Sequence, residues 1–167
     1  MMAFVWRATL LSVTVAIMLS WGCGKPRRPA SPTQYAGGVT IRGRTWQVEL
    51  ADTAELRYRG LSDRRELPEG AGMLFVYPAP QPMTFCMRKC LIPLDIAFIG
   101  SDLRVVNMCT MEVEPYGLDT RTYHSSAPAQ FALEVPRGAL AAAGVQVGDR
   151  VEFSSDIPPA AKAEPGP

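Results

Sequence analysis

The sequence has a single histidine, His124, no Cys-x-x-Cys spacing, and no run of like charge longer than a pair such as Arg27-Arg28 or Arg64-Arg65. Each absence removes a class of function. Without paired cysteine or histidine spacing there is no zinc signature. With 17 basic against 16 acidic residues, a formal charge of +1 provides no field to gather nucleic acid, and the aromatics do not interleave with the arginines around residues 57–65. Those arginines read as a solvated face. Gly70-x-Gly72 lacks the strand-to-helix setting of a phosphate loop, and there is no internal repeat. No cofactor and no nucleic-acid partner are expected.

What is present suits one globular domain with extensions: 167 residues, 47% hydrophobic and 20% charged. Residues 8–21 are apolar or small and follow Arg7, giving a positive start and a hydrophobic stretch of signal-peptide length. It is shorter than the roughly 20 residues a membrane span needs. Residues 1–22 are therefore expected to be a signal peptide. The stretch Leu19-Ser20-Trp21-Gly22-Cys23 resembles the lipobox of bacterial lipoproteins, which implies a lipid on Cys23. Leu19 stands four residues before the cysteine rather than the usual three, and plain secretion or an uncleaved anchor is the alternative. Arg7 is the only charge in residues 1–22, so the remainder carries 16 basic and 16 acidic residues. Residues 23–38 hold Pro26, Pro29 and Pro32 with almost nothing apolar and read as an extended tether. Residues 158–167 read as a disordered tail, which leaves a folded domain over 39–157.

Within that domain, β-branched alternation over 39–42 and 45–50, split at Gly43, predicts a hairpin. Asp52-Thr53-Ala54-Glu55 has the form of a capping box opening a helix to about Leu61. Residues 73–77 predict a buried strand, and Pro78, Pro80 and Pro82 an extended connection without ladder donors. Further strands are expected around 85–87, over 94–99 and 103–114, then at 131–135 and 151–153, with a surface loop across 116–130. A short helix over 137–143 stops at Gly144. The sum is an α+β, mainly β domain: a compact, barrel-like mixed sheet with two short helices.

Several of these stretches follow one another in a familiar order. They are Ala51-Asp52-Thr53, Arg59-Gly60-Leu61, Gly72-Met73-Leu74-Phe75-Val76, Phe85-x-Met87, the run from Ile92-Pro93-Leu94-Asp95 to Ile99, Ala132-Leu133-Glu134-Val135, and Gly144-Val145-x-Val147-Gly148-Asp149-x-Val151. The chain resembles the DUF192 (UPF0127) family, often exported, over essentially the whole domain. The resemblance implies a small β-rich fold and no established activity. The family pattern has Trp after the Phe and Met-Lys-Asn-Thr before the Ile-Pro. Here Cys86, Met87, Arg88, Lys89 and Cys90 occupy those positions, so two thiols and an ammonium replace an indole, an amide and a hydroxyl.

Polar groups embedded in apolar motifs need a reason, and a ligand groove is one. Arg59, Met87, Lys89, Pro93, Asp95 and Glu134 are the ligand-binding candidates, with Asp95 and Glu134 as carboxylates in otherwise apolar strands; structural pairing is the other reason. No catalytic residue is assigned. Apart from Cys23, the cysteines are Cys86, Cys90 and Cys109, which in an oxidising compartment suggests one disulfide and one thiol. Extended chain between Cys86 and Cys90 spans about 13 Å, beyond disulfide reach, so these two could pair only if the chain turns between them. Either of them with Cys109 closes a loop of about 20 residues, worth a few kcal/mol, and Cys90–Cys109 is the first choice. The expected function is an exported, lipid-anchored, non-catalytic binding or accessory module of the cell envelope, held at the membrane and serving a small ligand or an envelope protein. One alternative is a cysteine-dependent enzyme pairing Cys86, Cys90 or Cys109 with His124. Another is a Cu(I)-handling protein using Met83, Cys86, Met87, Cys90, Met108, Cys109 and Met111.

Overall fold

Alternating β-branched residues open the domain as a hairpin, β1 (Gly37–Ile41) and β2 (Arg44–Ala51), paired antiparallel from Gly37↔Val48 to Ile41↔Arg44. Its two turn residues, Arg42 and Gly43, both have positive φ, +50° and +76°, as a two-residue hairpin turn requires. In this computed structural model residues 35–115 and 121–157 are described; the expected signal segment, residues 23–34 of the tether with Cys23, and the tail lie outside them, while Gly37 and Gly38, the end of the expected tether, belong to β1.

Helix α1 (Ala54–Arg59) follows, capped by the Thr53 hydroxyl, which accepts from the Leu56 amide at 3.2 Å. The cap is thus one residue later than the expected capping box. Because α1 carries the chain back across the sheet, β3 (Ala71–Gln81) pairs parallel with β2, the connection a parallel pair needs. β3 also runs through Pro78 and Pro80, where a mere connection is expected. A register shift between Val76 and Gln81 takes the exposed prolines off the β8 ladder, so no donor is missed.

The remaining elements are β4 (Thr84–Cys86), β5 (Leu94–Ile99), β6 (Val105–Met111), β7 (Thr122–His124), β8 (Ala129–Pro136), helix α2 (Ala139–Ala142) and β9 (Val151–Phe153). β7 lies inside the stretch expected to be loop. It forms a two-stranded ribbon with β4, while the other strands make a seven-stranded sheet in the order β6-β5-β8-β3-β2-β1-β9. The sheet curls as a half-barrel, and at one end its outer strands meet through an antiparallel bridge, Arg104↔Arg150. The fold is α+β and mainly β, with two short helices.

β5, β8 and residues 71–76 of β3 are buried on both faces, so their near-continuous apolar sequences fit no simple alternation. Alternate residues feed different cores. On one side Val39, Ile41, Trp46, Leu74, Val76, Ala97, Leu133, Val135 and Leu140 pack together. On the other, Met73, Phe75, Phe85, Met87, Leu94, Ile96, Phe98 and Met111 pack between sheet and ribbon. Phe85 anchors the ribbon by meeting Phe75 edge-on at 4.9 Å and Phe98 at 5.7 Å. Each such buried ring contributes about 1.5–3 kcal/mol by burial and about 0.5–1.5 kcal/mol by ring geometry.

Candidate functional site

Where α1 and the β4 ribbon lean over the sheet they leave a cleft of about 380 Å³, within the size range of small-molecule sites. Its apolar wall is aromatic, with Phe75 and Tyr77 from β3, Phe85 from β4 and Tyr58 from α1. Arg57, Arg59 and Arg88 also line it, as do Cys86 and Cys90. One acid, Glu134 of β8, lines it as well.

Of the two buried acids, Asp95 and Glu134, the second is the anomaly. It is 5% exposed, and among the described residues its carboxyl makes no hydrogen bond or ion pair. Burial pushes its pKa up to about 8, so the group is a neutral acid at pH 7 that can donate as well as accept. The backbone is held tightly here. A Cβ on Gly72 would come within 2.7 Å of the Glu134 carbonyl, so glycine is what lets β3 approach β8 this closely. Tyr77 is half-buried, and burial raises its phenol above the usual range, with Arg57 opposing and Glu134 adding.

Two of the three arginines are already committed. Arg57 Nη1 donates to the carbonyls of Asp52 at 2.5 Å and Val76 at 2.8 Å, and its guanidinium lies 4.7 Å from the Tyr77 ring centroid. Arg88 donates to the Tyr58 carbonyl and stacks on the Tyr58 ring at 3.8 Å. Arg59 is exposed; its carbonyl accepts from the Ser62 amide at 3.1 Å, and among the described residues its guanidinium makes no hydrogen bond or ion pair. The cleft therefore has one uncommitted guanidinium and one uncommitted carboxyl.

Of the ligand-binding candidates singled out from sequence, the cleft gathers Arg59 and Glu134, with Cys86 and Cys90 of the disulfide candidates beside them. Met87 is 2% exposed in the core beneath the ribbon. Lys89 occupies a turn with φ +54°, its side chain exposed and its carbonyl accepting from the Asp63 amide at 2.8 Å. Pro93 is half-buried, its carbonyl accepting from the Arg137 amide at 3.4 Å. Asp95 is 4% exposed and fully engaged: Thr110 Oγ1 donates to Oδ1 at 2.8 Å and the Leu140 amide to Oδ2 at 3.2 Å. The second contact caps α2, whose own N-cap, Gly138, has no side chain to offer. Arg57, Tyr77, Phe75 and Phe85 are lining residues that the sequence did not single out for the site.

The expected disulfide is absent: among the described residues Cys86, Cys90 and Cys109 form none. The reason is local. The Cys90 amide closes a turn on the Met87 carbonyl at 3.0 Å, leaving Cys86 exposed at the end of β4 and Cys90 buried, while Cys109 lies half-buried on β6 opposite Ile96. Burial pushes the Cys109 thiol up and Asp95 adds to that. His124 has Thr84 Oγ1 3.1 Å from Nδ1 and Thr122 Oγ1 2.9 Å from Nε2, so both ring nitrogens face hydroxyls. Of the sulfur donors considered for copper, Met83, Met87 and Met111 are buried in the core, filling it as methionine commonly does. Among the described residues no three or more His, Cys, Asp or Glu cluster as a metal site.

Residues 38–153 match the family described as DUF192, Uncharacterized ACR. The UPF0127 protein PF1050 of Pyrococcus furiosus is 29% identical over 113 residues, covering 66% of this chain and 90% of that protein. A crystal structure of a protein of unknown function from Novosphingobium aromaticivorans is similar at TM-score 0.63 and 37% identity, over 69% of this chain and 83% of that one. A second, described as a putative transcription regulator from Sinorhizobium meliloti, is similar at TM-score 0.63 and 31% identity, over 74% and 98%.

Proposed function

The chain belongs to the DUF192 family, and on that premise we propose that it is a non-catalytic binding module, exported and carried on a lipid at Cys23, whose small ligand seats in the cleft over Glu134. One observation carries the binding reading. A carboxyl that is 5% exposed, without a hydrogen-bond or ion-pair partner among the described residues, costs the fold stability and repays nothing within it. Its place in an open cleft among aromatic rings supplies a reason for keeping it. The envelope location is supported by the sequence of residues 1–38: the charged start, the apolar stretch, the cysteine after Gly22 and the proline-rich tether.

Glu134→Leu tests the binding reading without knowledge of the ligand. It replaces the carboxyl with an apolar group of comparable size. The expected result is an unchanged or raised denaturation midpoint at pH 7 and an impaired function in cells. A markedly lowered midpoint would make Glu134 a structural residue and remove the reading's support. For the anchor, incorporation of labelled palmitate that disappears in Cys23→Ala is expected, and no incorporation into the wild type overturns it.

A further inference from the structure

The chemistry lining the cleft also selects a charge and a shape. We infer that the cleft takes a small organic anion with a flat or apolar body, of the monocarboxylate class, recognised by the arginine rim and the Glu134 carboxyl. This rests on the binding reading above. Three guanidinium groups, Arg57, Arg59 and Arg88, line the cleft, and none forms an ion pair there among the described residues. A cationic ligand meets their repulsion, whereas an anion meets attraction and, at Arg59, an uncommitted planar donor set suited to a carboxylate. Phe75, Phe85, Tyr58 and Tyr77 provide faces and edges for a flat body.

Glu134 fits the same ligand. An ionised carboxylate would repel an anion, but the neutral acid offers an O–H donor to it, and a bound anion in turn holds that proton in place. The titratable and charged groups that share the cleft with Glu134 are Tyr77 from β3, Arg57, Tyr58 and Arg59 from α1, and Cys86, Arg88 and Cys90 from the β4 segment. On the flanking strands its cross-strand neighbours are Met73 of β3 and Ile96 of β5, neither of which titrates. Ionisation of Glu134, near pH 8, therefore sets the upper limit of anion binding.

The test uses benzoate, benzamide and benzamidine, three probes of one shape with charges of one sign, none and the other. Binding to the full chain in detergent would be followed by calorimetry and by the amide resonances of Gly60 and Phe85. Benzoate is expected to bind at least tenfold more tightly than the other two at pH 6.5, to weaken severalfold by pH 9, and to lose about tenfold in Arg59→Ala while benzamide is unaffected. Glu134→Gln, which keeps the shape and cannot ionise, is expected to abolish the pH dependence. Equal or preferred binding of benzamidine or benzamide overturns the anion class and leaves the binding cleft standing. If no probe at millimolar concentration moves the cleft resonances, both the anion class and the binding reading fall.

Discussion

Asp95 and Glu134 stand on adjacent strands one step out of register, Asp95 opposite Val135 and Glu134 opposite Ile96, so their carboxyls point to opposite faces of the sheet. Two acids alike in sequence setting thus have unrelated work. Asp95 faces the core that holds Val135 and Leu140 and ties β6 and α2 to β5, while Glu134 faces the cleft.

Asp95→Ala should destabilise the domain by about 2–4 kcal/mol, because it strands the Thr110 hydroxyl and the Leu140 amide as well as removing the carboxylate. Asp95→Asn, which keeps one acceptor, should cost less. Urea midpoints measure both. If Asp95→Ala leaves the midpoint unchanged, the capping role is wrong.

Stability should fall with rising pH on account of Glu134. In the unfolded chain its carboxyl titrates near the usual value of about 4.3, and in the fold near 8. Between these the native state holds the extra proton. The contribution is therefore fully present below about pH 4 and is lost as pH rises through about 8, with a slope of at most roughly 1.4 kcal/mol per pH unit. Glu134→Gln should remove this slope, so that the variant gains on the wild type from pH 6 to pH 9. Denaturation curves at several pH values check it, and parallel wild-type and variant profiles would refute it.

Arg57→Ala should cost about 1–3 kcal/mol by releasing the carbonyls of Asp52 and Val76 and the stacking on Tyr77. Arg57→Lys should recover only part, since an ammonium can donate to carbonyls but has no flat guanidinium face to lay on the Tyr77 ring while its nitrogen reaches both carbonyls. A full rescue by lysine would mean that charge alone matters there.

Thiol labelling of the native protein should reach Cys86 first. Cys109 should follow more slowly, being half-buried with its thiol pushed up by burial and by Asp95, and Cys90 should wait for unfolding. Peptide mapping after timed alkylation measures the order. Labelling of Cys90 ahead of Cys86 would contradict the turn geometry.

The β1–β2 hairpin, β5, β8 and α2 were legible because each follows from local pattern: alternation around Gly43, apolar runs, and the glycine after residue 143. Glu134 was legible as a carboxylate in an apolar strand. Asp95 carried the same signal, and only the register of β5 against β8 and β6 separates an acid that caps a helix from one that faces a cleft. Arg57 and Tyr77 were not legible as site residues, because their contact depends on the parallel return of β3 beside β2 through α1, which brings Arg57 to Val76. β7 is a three-residue strand made by its partner β4 rather than by its own sequence. The disulfide expectation counted thiols, but a turn across Met87 to Cys90 decides which way each one faces.

The bridge between Arg104 and Arg150 also governs how this domain can meet other chains. With the Val105 amide on the Asp149 carbonyl and the Val151 amide on the Leu103 carbonyl, β6 and β9 spend part of their edges on each other. Farther along β6, the Asn107 side-chain amide donates to the His124 carbonyl and accepts from the Ser126 amide, and the Ser126 hydroxyl donates to the Val106 main-chain carbonyl at 3.4 Å, covering the same edge with the end of β7 and the residues after it. Main-chain groups that would otherwise invite an added strand are occupied at both positions. Recognition by this protein then falls to side chains, and at the sheet margins the fold resists stacking on itself.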